Sequence, residues 1–88
     1  MVIIDWGYMG LLEQFIDNGF PVIANVNTSD LPYWNQAANH ALLVTGYDAT
    51  RIYVNDPALD RGQVPIVRHR FELSWLENDY VFGVLQSK

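Results

Sequence analysis

The sequence predicts an α+β domain: a mainly antiparallel sheet of four or five strands with two helices. Three observations carry that expectation. One early stretch and one late stretch place apolar residues at helical spacing. The segments between and after them are rich in β-branched and aromatic residues, as strands are. Short breaks of Asn, Asp, Gly and Pro separate the runs. The chain has 88 residues, 50% of them apolar and 17% charged, which is the size and composition of one small globular domain.

The elements follow in order. Asp5 is placed to cap a helix whose apolar stripe is Met9, Leu12 and Ile16, with Tyr8, Leu11 and Phe15 beside it. Asn18-Gly19 stops this helix, and Pro21 forbids its continuation. Pro21 to Val26 reads as a strand, with Val22, Ala24 and Val26 on one face. Residues 27–39 read as a loop, long for an ordinary connection, with Tyr33-Trp34 in its middle. His40 to Tyr47 is a nearly continuous apolar strand, as expected where both faces are covered. Asp48-Ala49-Thr50 makes a turn, and Arg51 to Val54 completes a hairpin. Asn55-Asp56-Pro57 ends that strand. Val64 to Arg68 supplies a further short strand, Phe71 to Glu77 a short helix with Phe71, Trp75 and Leu76 inward, and Tyr80 to Leu85 the last strand.

Composition excludes several functions. With no cysteine, the chain can form no disulfide scaffold, no thiolate metal site and no cysteine nucleophile of its own. Ten acidic against five basic residues give a net charge of −5, which disfavours nucleic acid and anionic membranes as partners. No apolar run approaches the roughly 20 residues of a membrane helix. The segment Met1 to Asp5 lacks the basic start of a secretion signal, so the default expectation is cytoplasmic.

One constellation carries chemistry. His40 opens the central strand and Asp56 closes its hairpin partner. With the fold-back at residues 48–50, both fall at the same end of the hairpin, on strands about 4.8 Å apart. A carboxylate on one imidazole nitrogen fixes the tautomer and leaves the other nitrogen to take a proton from a nucleophile. The same spacing also fits a capped turn beside a half-exposed histidine. Ser29, in the loop ahead of His40, lies in no strained nucleophile turn and reads as a loop serine. No H-E-x-x-H spacing unites His40, His69 or Asp56 around a metal, so neither metal nor cofactor is expected. Arg68-His69-Arg70 reads as a charged strand edge that discourages edge pairing.

The block His40 to Asp48, followed by Ile52-Tyr53-Val54-Asn55-Asp56-Pro57, resembles the bacteriocin-processing type of cysteine peptidase, in the papain-like superfamily. Flanking stretches agree in order: Glu13 to Val26, Leu31 to Trp34, and Phe71 to Tyr80. The resemblance implies a papain-like half-domain spanning residues 1–88, with His40 as general base and Asp56 as its orienting residue. Asn55 is the fallback for that second role. It also implies a cleft beside the aromatic loop, where Tyr33 and Trp34 would contact substrate.

The family's nucleophilic Cys and oxyanion Gln belong to an N-terminal helical half that has no counterpart in these residues. The imidazole only activates the thiol, so the chain alone cannot run the reaction. The leading expectation is a non-catalytic or incomplete peptidase-related domain that binds a peptide or protein. The alternatives are a cysteine peptidase whose thiol comes from an upstream segment or a partner chain, and a plain structural domain. A sheet face without its other half is expected to seek cover, by homodimerisation or by association with that half.

Overall fold

The computed structural model describes residues 2–31, 34, 36–59 and 62–84. Its sheet has six strands, one more than the upper sequence expectation, and all pair antiparallel. The strands are β1 (Val2–Ile4), β2 (Val22–Asn27), β3 (Asn39–Tyr47), β4 (Arg51–Asn55), β5 (Val64–Val67) and β6 (Phe82–Val84). Two helices, α1 (Met9–Asp17) and α2 (Arg68–Leu76), complete the main elements. Across the sheet the order is β1-β6-β2-β3-β4-β5. The last strand thus inserts between the first and second, and the β3–β4 hairpin lies towards the other edge.

The added strand is β1. Its three residues are too few to show a period, and only pairing with β6 makes them a strand. Asp5 does not cap α1. The cap position is Tyr8, in extended backbone and without a side-chain hydrogen bond to the helix. The reason lies in the turn before it. Gly7 is buried so closely against Phe82 that a Cβ there would sit 2.4 Å from the ring, so the chain must pass this point before it can coil.

Alternation sets the core. Val22, Ala24 and Val26 of β2, Leu42 and Val44 of β3, Ile52 and Val54 of β4, and Val64 and Ile66 of β5 are all buried. The helices lie against this face: Leu12 of α1 and Phe71 and Trp75 of α2 are fully buried, whereas Leu76, expected inward, is exposed because Ser74 and Trp75 take the buried side of that turn. Phe15 and Trp75 each stand edge-on to the Phe82 ring, at 6.0 and 5.7 Å between centroids. The opposite face differs from the sequence expectation of a strand covered on both sides. Ala41 is exposed, and Ile23 and Leu43 are half-buried. One register row crosses this face through Ile3, Gly83, Ile23, Leu43 and Asn55.

Arg68, His69 and Arg70 form the first turn of α2 and not a strand edge. Cations at a helix N-terminus oppose the macrodipole, so propensity alone does not start the helix here. Tertiary partners hold Arg68 in place: Glu13 of α1, the Asp48 carbonyl at 2.8 Å, and the Tyr47 ring.

Candidate functional site

The site is built on the open end of the β3–β4 hairpin. Leu43 pairs with Asn55 and Val44 with Val54, and Thr45 is bulged out before pairing resumes at Gly46–Tyr53. Extending the register past Asn55 brings Asp56 beside Leu42. His40 is the next residue along β3 on the same face. The two side chains meet there: His40 Nε2 lies 2.6 Å from Asp56 Oδ1.

Asp56 is buried, at 2% exposure, and its carboxylate is held from several sides. The Ala58 backbone N–H donates to Oδ1 at 2.9 Å, an Asx-type turn made possible by Pro57 ending the strand. The Trp34 indole N–H donates to Oδ2 at 3.1 Å. A buried carboxylate needs this number of donors to remain charged. An Nε2–H donated to the Asp56 carboxylate leaves Nδ1 on the side of the ring away from Asp56.

Trp34 also packs on His40, with ring centroids 4.9 Å apart. His40 is thus clamped by a carboxylate at one edge and an indole on one face. Its side chain is still 19% exposed, so the imidazole is fixed without being sealed. The sequence pointed to Trp34 for substrate contact. In the structure its polar atom is engaged with Asp56. Tyr33, the other residue of that expectation, lies outside the described residues.

Asn55 does not touch His40 in place of Asp56. Its side chain turns towards the helix-free face, where its Oδ1 is buried without a hydrogen-bond partner. There it lines a hollow of about 330 Å³ with Ile23, Ala41, Leu43, Asp56 and Pro57. Pocket and pair therefore share Asp56 as a common wall.

One residue of the site has no sequence signal. Thr28 is fully buried in the short 3₁₀ turn Thr28–Asp30 that follows β2. Its hydroxyl donates to the Gln36 carbonyl at 2.6 Å and accepts from the Ala38 N–H at 2.8 Å. The Thr28 N–H bonds the Ala38 carbonyl at 2.9 Å. The long loop is thereby closed at its base just before His40, and Leu31 anchors its middle in the core. This closure lets a loop residue, Trp34, reach Asp56 reproducibly.

The other candidates stand apart. His69 is on the exposed side of α2, beside Glu72, Leu73, Leu76 and Tyr80. Ser29 is exposed, and its backbone N–H is bound to the Asn27 side chain. Among the described residues no three His, Asp or Glu side chains gather as metal ligands, and no helix is long and apolar enough to cross a membrane.

An antiparallel sheet backed by two helices, with a histidine held by a buried carboxylate at one strand end, defines the class of domain by its fold and its polar pair. The comparisons with known proteins are specific. The profile of the Peptidase_C39 like family matches residues 9–81, and the chain belongs to that family. Its fold is similar to the crystal structure of a protein described as a C39-like peptidase from Bacillus anthracis, with a TM-score of 0.79 and 20% sequence identity. That match covers 99% of this chain and 52% of the other, so the chain spans about half the length of its structural relative. No curated protein matches the sequence.

Proposed function

We propose that these 88 residues supply the base-and-orienter half of a cysteine peptidase centre, and that the thiol comes from outside them, on another segment or a partner chain. The observation that carries this is the 2.6 Å contact between His40 and a buried, multiply held Asp56. A structural histidine needs no carboxylate so carefully prepared. A general base does, because the cation formed after proton transfer must be stabilised in place. Family membership and the half-length match to a C39-like peptidase support the same reading.

In that centre His40 Nδ1 takes the proton of the thiol. The thiolate attacks the peptide carbonyl, and His40 returns the proton to the departing amine to leave an acyl-enzyme. Water then enters by the same route, with the imidazole again as base. Asp56 keeps Nε2–H pointed away from the thiol throughout. The apolar, helix-free face around Ile23, Ala41 and Leu43 adjoins Asp56 and would seat the cysteine-bearing half. Without that half the domain binds a peptide or protein and does not cleave it.

Hydrolysis of a fluorogenic peptide amide tests the reading. The chain alone is expected to be inactive. Joined to the cysteine-bearing segment it should turn over substrate, and His40→Ala in the joined protein should remove that turnover. Full activity of the joined His40→Ala protein would sink the proposal. Nitrogen NMR of the isolated chain gives an independent check, since the ring should carry its Asp56-bound proton on Nε2 and lose that tautomer preference in Asp56→Ala.

A further inference from the structure

The two edges of the sheet are finished differently. At the β5 edge, Pro65 removes a backbone donor and Arg68 follows directly, so this edge is protected against pairing. At the β1 edge the sequence is Val2-Ile3-Ile4, with no charge, proline or bulge. Among the described residues only its inner side is paired, to β6, and its outer side is the edge of the sheet. The apolar side chains follow the same pattern. Of the seven large hydrophobic residues standing exposed among the described residues, four fall within residues 2–8: Val2, Ile3 at 59%, Trp6 at 67% and Tyr8. Trp6 is held there by left-handed backbone with φ of 55°, an uncommon choice for a bulky residue. It is pinned by its N–H to the Asp79 carbonyl at 3.0 Å.

We propose that β1 is a self-association edge, pairing antiparallel with β1 of a second copy about a twofold axis at Ile3. The edge is self-complementary. Val2 of each copy falls opposite Ile4 of the other, and Ile3 opposite Ile3, so the new ladder contains aliphatic pairs only. Asp5, the one charge in residues 2–8, lies beyond the ladder and on opposite sides of the axis in the two copies. Two chains each carrying −5 can therefore meet here without bringing like charges face to face. The result is a continuous sheet through both subunits, with both His40–Asp56 pairs and both helix-free hollows left open. This inference does not depend on the peptidase reading.

The absence of native cysteine gives a clean test. Residues directly opposite in an antiparallel pair have Cα atoms about 4.5–5.5 Å apart, inside the window for a disulfide. Ile3→Cys is expected to form a covalent dimer under mild oxidation much faster than Gly62→Cys, which places a thiol at an open surface position far from the edge. Sedimentation of the unmodified chain should show a dimer. Ile3→Lys, which sets two like charges opposite each other, should weaken it at least about tenfold while leaving the folded spectrum intact. A monomer at high concentration would overturn the proposal. So would a dimer indifferent to Ile3→Lys, or Ile3→Cys crosslinking no faster than Gly62→Cys.

Discussion

The β3–β4 hairpin carries an aspartate near each end, and the two are held in opposite ways. Asp48, at the turn, is bound by its immediate neighbours: the backbone N–H groups of Thr50 and Arg51, the Arg51 guanidinium and the Tyr53 hydroxyl. All lie within five positions along the chain, and the carboxylate is open to solvent. Asp56, at the other end, is buried, and two of its partners come from far away in sequence, His40 and Trp34. The local cluster forms as soon as the hairpin does. The distant one requires that the long loop be closed and β3 docked. A carboxylate held the second way stabilises the fold only when every partner is present, and this makes it suited to holding a reactive group in one pose.

Substitutions at the two ends should separate these cases. The largest effect is expected for Asp56→Ala. It strands the indole N–H, the Ala58 N–H and an imidazole that is mostly buried, and should cost about 3 kcal/mol in urea denaturation. Asp56→Asn, which keeps an acceptor for some of these donors, should cost less. Trp34→Phe comes next. It retains a ring against His40 and removes one hydrogen bond to a charged group, for an expected loss of about 1.5–2 kcal/mol. Thr28→Val, which unpairs the Ala38 N–H and the Gln36 carbonyl at the loop base, should cost about 1–2 kcal/mol. If Asp56→Ala proves no more costly than Asp48→Ala, the contrast between the two ends fails.

The same contrast explains what could be read from the chain. His40 and Asp56 were legible because a hairpin converts spacing along the chain into position in space, and the turn at Asp48 marks the fold-back point. The buried faces of β2, β3 and β4 follow from alternation. The Trp34–Asp56 bond was not legible, since it depends on the path of a loop that Thr28 closes through backbone groups, and a threonine gives no pattern for that. β1 carries no signal in the sequence, because three residues become a strand only when β6 pairs beside them. The start of α2 was misplaced because Arg68 and Arg70 are poor residues for a helix N-terminus, and the salt bridge from Arg68 to Glu13 joins elements far apart in sequence. Strand coverage was overestimated because an apolar run shows how hydrophobic a strand is without showing whether this chain covers both its faces.

The smallest effect is expected at the turn, and there pH is the sharper probe. The Tyr53 hydroxyl, followed by the Thr50 N–H, holds the Asp48 carboxyl well below the usual carboxylate range, against a small opposing cost of desolvation. The same hydrogen bond raises the Tyr53 phenol above its ordinary value. A depressed carboxyl contributes stability that is present above its unfolded pKa of about 4 and is lost as pH falls through the folded value. A raised phenol contributes stability that is present below about 10 and is lost as pH rises through the folded value. The turn should therefore be at full strength between these limits and weaken on both sides. Asp48→Asn should flatten the acid side of a plot of urea midpoint against pH. Tyr53→Phe should reduce the alkaline side. Tyr47 must be changed to Phe in the background, because its own bond to Asp17 raises that phenol too. Both effects should be slight, since solvent screens exposed pairs. An acid limb unchanged in Asp48→Asn would mean that the turn does not set the acid sensitivity of the hairpin.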